Sequence, residues 1–219
     1  MARHSRSRPA HFLRSQGLLS LDLVNACTDF FFTHMHSTVP ILQREQLQRE
    51  IISMNESTKS YCLVCCVCAF VIIQTGAVGP SFPTGDESPS VAGLAYGQAL
   101  LDEALEARKY LDILGRPSFR IITITFFLYC CHIGLNHQKN AWFFLREATT
   151  LYMSGPVDVD SGPGGGNSLV SNRLFWLLLI SERYAAIWTL LLLRRHLANS
   201  NHQCSCNSTT SADNASNYT

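Results

Sequence analysis

The run from Tyr61 to Ile73 carries no charged residue and shows no apolar–polar alternation. A segment apolar on every side is neither an amphipathic surface helix nor a half-exposed strand, so it must be enclosed by the rest of the chain. With 219 residues the chain can enclose one good core, which makes one domain the default. Hydrophobic residues make up 47% and charged residues only 15%, so burial inside the protein has to be weighed against burial in a bilayer.

A spanning helix needs about 20 apolar residues. Cys62 to Ile73 is shorter, and Gly76, Gly79 and Pro80 follow it. Leu174 to Leu193 is long enough, but Glu182 and Arg183 stand near its middle. Each charge there costs about 2.5–3.5 kcal/mol, whereas each leucine returns about 0.3–0.6 kcal/mol. Met1 to Arg14 is basic, yet no apolar core or small-residue cleavage site follows it. These features predict a soluble chain with buried helices and no membrane partner.

The neighbouring segments read as helices too. Leu18 to Val24 opens a helix that runs through Phe32 and is broken at Pro40. Ile41 to Ile52 is amphipathic: Leu47 and Ile51 are expected inside, and the Gln43-Arg44-Glu45 and Gln48-Arg49-Glu50 triplets in water. Leu100, Ala104, Ala107, Leu111 and Leu114 recur at helical steps before Gly115 and Pro117. Ile121 to Thr125 is β-branched, which favours strand. The apolar run nevertheless continues without alternation to Ile133, too long for a typical strand, and predicts a helix. Asn140 is a candidate cap for the next helix, which Gly155-Pro156 ends. The last helix is expected over Leu169 to Tyr184.

The predicted fold class is all-α, an irregular array of antiparallel helices with disordered termini. Its divisions are a disordered basic segment over 1–17, a helical domain over 18–185 and a divergent, largely disordered tail over 186–219.

The usual chemistries find no footing. Nine cysteines, an odd number, sit mostly in apolar runs, a pattern that suits a reducing compartment rather than a disulfide scaffold. The sequons at Asn55, Asn207, Asn214 and Asn217 then read as chance. Cys62, Cys65 and Cys68 have ligand-like spacing, but thiolates inside an apolar helix would be badly desolvated. His196, His202, Cys204 and Cys206 lack supporting structure. Gly162 to Gly166 has no following Lys-Ser/Thr, and Asp158-Val159-Asp160 meets Gly162 and Pro163 where a calcium loop needs its third ligand and turn glycine. His132 or His137 beside Cys130 or Cys131 could be drawn as a dyad, but structural roles are favoured. The expectation is no catalytic residue, no metal and no cofactor.

Two adjacent charge pairs, Arg146-Glu147 and Glu182-Arg183, interrupt otherwise apolar helices. A solvated stripe is the bland reading. The sharper one is a cross-helix network, Arg146 with Glu182 and Arg183 with Glu147, because unpaired charges in apolar surroundings are costly.

Three blocks remain: Ser118-Phe119-Arg120 running into Thr125-Phe126-Phe127-Leu128-Tyr129, then Asn140 to Thr149, then Arg173-Leu174-Phe175-Trp176-Leu177 closing on Ser181-Glu182-Arg183. In this order and spacing they resemble the middle homology region of fungal transcription factors of the zinc binuclear cluster, Zn(II)2Cys6, family. The likeness extends from about Leu18 to Arg183 and takes in Phe31-Phe32-Thr33-His34, Pro40-Ile41-Leu42 and Tyr61-Cys62-Leu63. It implies an all-helical regulatory domain in the nucleus, acting through transcription-machinery or regulatory proteins, self-association among them. In that family zinc and DNA belong to an N-terminal six-cysteine cluster, which no part of this sequence matches. Asn172-Arg173 alone stands for the usual Arg-rich stretch, a glycine run replaces the acidic segment, and the likeness stops after Arg183. The chain is therefore expected to be truncated at both ends. The residues also leave a second class in play, a non-catalytic helical membrane or interaction protein.

Overall fold

A computed structural model of the protein describes residues 18–77, 90–113, 115, 118–154 and 169–187. The expected basic segment 1–17, the loops within 78–89 and 155–168, and the tail beyond 187 lie outside the described residues. The fold is all-α, with no strand among the described residues.

Among the described residues seven α-helices follow one another: α1 (Leu21–Phe30), α2 (Arg44–Ser53), α3 (Thr58–Thr75), α4 (Val91–Arg108), α5 (Phe119–Gly134), α6 (Gln138–Met153) and α7 over 169–187. The chain divides into two compact units, Met1–Leu178 and Leu179–Thr219. Residues 169–178 of α7 belong to the first unit, and residues 179–187 are the described part of the second.

Helix α3 is the axis of the first unit, packed against α1, α2, α4 and α5. Every residue from Ser60 to Ile73 is buried, as the all-round apolar run requires. Its ends follow from local chemistry. Ser57 Oγ accepts from Ser60 N, and Gly76 closes the helix at φ 66°, a left-handed conformation that costs glycine nothing. Helix α4 runs antiparallel to α3: Tyr61 meets Glu103, Cys62 meets Ala104 and Ile73 meets Gly97. A Cβ on Gly97 would stand 2.6 Å from Ile73 Cγ1, so glycine sets how closely these helices approach.

By length and composition α3 alone among the described helices could cross a membrane, and 78% of its apolar window is buried inside the protein. Its apolar surface is thus spent on the other helices. The run is longer than Cys62 to Ile73 because Thr58, Lys59 and Ser60 join its first turn.

Helix α1 starts on Ser20, whose Oγ accepts from Leu23 N, and continues into a π turn, Phe31–Met35, closed by His36 N donating to Phe31 O. Phe31 packs edgewise on Phe70 of α3 and Phe127 of α5, with centroids 6.4 and 6.0 Å away, and Phe70 lies 5.5 Å from Phe127. This trio joins three helices at the centre of the core.

Helix α5 confirms the helical reading of the β-branched stretch: Ser118 caps it, and Phe119 to Tyr129 are buried apart from the part-exposed Arg120. Thr123 and Thr125 satisfy their hydroxyls on Phe119 O and Ile121 O, one turn back, and so tolerate burial.

Three details differ from expectation. Helix α4 ends at Arg108, before Gly115, because the 107–111 backbone tightens into turns. Helix α6 begins at Gln138 rather than at Asn140: Asn136 at φ 58° turns the chain, and His137 takes the cap position without a side-chain bond. Glu50 is the third. It is buried, not solvated, at 3% exposure.

Candidate functional site

The polar groups inside this core form two joints and one thiol cluster. The first joint links α2 to α5. Glu50 Oε1 accepts from Arg120 Nη2 at 3.0 Å, with the glutamate side chain 4% and the arginine 24% exposed. Glu50 Oε2 has no hydrogen-bond partner among the described residues. A carboxylate this deep persists only beside its cation. The sequence signal was too weak to reveal it, since Gln48-Arg49-Glu50 looks like any solvated triplet.

The second joint links α4, α5 and α6. Arg108 Nη2 donates to Glu147 Oε2, with side chains 14% and 23% exposed. The same guanidinium lies over the Phe144 ring, 5.3 Å from its centroid. Phe144 is in turn stacked on His132, centroids 5.3 Å apart and planes within 3°. The His137 ring stands 5.7 Å from that of His132. His132 is 3% exposed, and neither ring nitrogen has a partner among the described residues. Burial, and then the neighbouring His137, lower its pKa from the ordinary 6.5, while Asp102 pulls weakly the other way.

The four residues of the expected charge network are placed as follows. Arg146 and Glu147 lie on α6, Arg146 exposed and Glu147 part-buried against Arg108. Glu182 and Arg183 lie in the second unit, the first part-buried and the second exposed. The carboxylate of Glu147 is therefore engaged by α4, a helix that the expected network did not include.

Cys27, Cys62, Cys65, Cys66, Cys68 and Cys131 are buried free thiols, and Cys130 is partly so. Cys62 Sγ donates to Ala104 O at 3.3 Å and Cys131 Sγ faces Cys66 O at 3.8 Å. Burial pushes the thiols of Cys66, Cys130 and Cys131 up; at Cys68 a hydrogen bond with Cys27 leads and burial adds to it. A nucleophilic or metal-binding cysteine needs the opposite shift. No group of three or more His, Cys, Asp or Glu among the described residues could hold a metal. His196, His202, Cys204 and Cys206 lie outside them.

The apolar residues of α6 and of residues 169–178 divide between core and surface. Phe144, Leu145 and Leu178 are buried, but Phe175 is 37% and Trp176 59% exposed. Residues 169–178 turn Val170, Leu174 and Leu178 inward, and two bulky neighbours cannot share that face.

Comparison with known proteins adds one likeness. The chain is 21% identical over 178 residues to the probable sucrose utilization protein SUC1 of Candida albicans. That alignment covers 76% of this chain, which spans about a third (32%) of the length of the relative. No family model matches the chain, and no solved structure matches it.

Proposed function

We propose that this chain is a regulatory domain of a fungal transcription factor, controlling transcription through protein contacts in the nucleus. The observation that carries the reading is the likeness to the Candida albicans sucrose utilization protein across most of the chain. The three sequence blocks of the middle homology region support it, and so does an all-helical fold in which α5 and α6, the seats of the first two, pack on each other and α5 packs on the axial α3. The elevated thiols and the hydrocarbon-lined core offer a reaction nothing to work with. The reading therefore assigns no enzymatic role, no cofactor and no resident zinc, and its partners are transcription-machinery or regulatory proteins.

DNA contact in this reading belongs to a six-cysteine cluster that the 219 residues do not contain. With a formal net charge of +1 the chain releases few counterions, so its own DNA binding should be weak, salt-sensitive and indifferent to sequence. The charge network from Arg146 to Glu182 and from Arg183 to Glu147 remains part of the proposal, as the brace of the last helices.

The test is a tagged chain expressed in a yeast, alone and fused to a foreign DNA-binding domain upstream of a reporter. Nuclear signal with a several-fold change in reporter output is the expected result. Pelleting with membranes that only detergent reverses, with a flat reporter, would replace this reading by that of a helical membrane protein. A chelator-sensitive, sequence-specific band shift by the chain alone would equally overturn it.

A further inference from the structure

We propose that His132 is a proton-sensitive joint, which holds the α5–α6 hairpin closed while neutral and loosens it when protonated. Three observations and one chemical rule carry this. His132 sits at the C-terminal end of α5, 3% exposed, with both ring nitrogens unpartnered among the described residues. An imidazolium has two N–H donors, and burying both without acceptors is costly, whereas a neutral ring leaves one donor unmet. The ring lies flat on Phe144 of α6, so it is the apolar face of histidine that this packing uses. And the connection it guards is short: Leu135 N donates to Cys131 O, Asn136 N to Ile133 O and His137 N to His132 O, with Asn136 left-handed between them.

The charges around the ring reinforce the effect. His137 stands 5.7 Å away by ring centroid, and a charge there disfavours the charged form of His132. From α4 the Arg108 guanidinium lies against Phe144, the ring on which His132 stacks. From α6, Glu147 is already engaged by Arg108, and Lys139 and Arg146 add positive charge at the surface. From α3, the Cys66 carbonyl faces Cys131 Sγ, and burial keeps the Cys66 thiol neutral. Asp102 is the one acid that favours the charged ring, and its pull is weaker than burial and His137.

The sign follows. Burial lowers the folded-state pKa below the ordinary 6.5, so the folded hairpin binds fewer protons than the open one. Closure is complete above pH 6.5 and weakens as the pH falls from there through the folded value.

Hydrogen exchange at pH 7.5 and 5.5, corrected for intrinsic rates, reads the joint directly in the full chain. Protection of amides 131–141 should fall several-fold, toward the limit of about tenfold that one histidine can supply over this pH range, while that of α3 changes less than twofold. His132→Phe, which keeps the stack and removes the titration, should abolish the fall. An equal fall in His132→Phe, or an equal loss across α3, overturns the proposal. Should that variant not fold, the wild-type ring decides: NMR titration of His132 to a pKa clearly below 6.5 upholds the joint, and a value at or above 6.5 ends it.

Discussion

Arg120 Nη2 lies 3.0 Å from Glu50 Oε1, tying the first turn of α5 to the buried face of α2. The glutamate side chain is 4% exposed, so removing its cation strands a carboxylate in the core. Losing one partner of a buried pair costs about 3–5 kcal/mol, a large share of a typical domain's stability. Arg120→Ala should therefore lower the urea midpoint sharply. The double replacement Glu50→Leu with Arg120→Met should recover most of the loss, since no charge is left to desolvate.

Glu147 offers a quantitative test of where its carboxylate is engaged. Its bond to the Arg108 guanidinium is part-buried, and hydrogen bonds to charged groups contribute about 1.5–3 kcal/mol. A double-mutant cycle between Arg108→Ala and Glu147→Ala should show coupling of that order. The parallel cycle between Glu147 and Arg183 measures the proposed brace, and a coupling indistinguishable from zero would remove that half of it.

Trp176 is 59% exposed, so Trp176→Ala should change the thermal midpoint little. Phe127 is fully buried against Phe31 and Phe70, and Phe127→Ala should cost about 3–5 kcal/mol and abolish cooperative melting. Melts of the two variants check this, and the reverse ranking would mean that the aromatic trio is not the centre of the core.

The buried thiols predict a kinetic result. Thiol reagents attack thiolates, and burial suppresses thiolate at Cys66 and Cys131. Site-resolved labelling at pH 8 should leave Cys62, Cys65, Cys66, Cys68 and Cys131 unmodified until denaturant opens the fold. Rapid modification of Cys66 in the native protein would contradict the described core.

Local pattern settled much of this architecture. The uninterrupted apolar run around Tyr61–Ile73 dictates a buried helix because nothing along it could face water. The run through Phe119–Gly134 becomes helix against its β-branched propensity for a related reason: its length and lack of alternation outweigh a preference worth a few tenths of a kcal/mol per residue.

What pattern could not supply is partnership across the chain. Glu50 reads as a surface residue in its own triplet and is buried because Arg120 arrives from α5. Glu147 accepts from Arg108, 39 positions earlier on a helix packed against α3, a pairing that the adjacent charges of Arg146-Glu147 do not signal. Trp176 lies next to the core-facing Leu174 and Val170 but points away, since one helix face holds only residues three or four apart. The sequence by itself determined which segments are helical and which helix is enclosed, because hydrophobic periodicity is a property of neighbours. Only the tertiary structure decided which charges meet and that the His132 ring nitrogens are buried with no hydrogen-bond partner among the described residues, because those depend on helices brought together from distant parts of the chain.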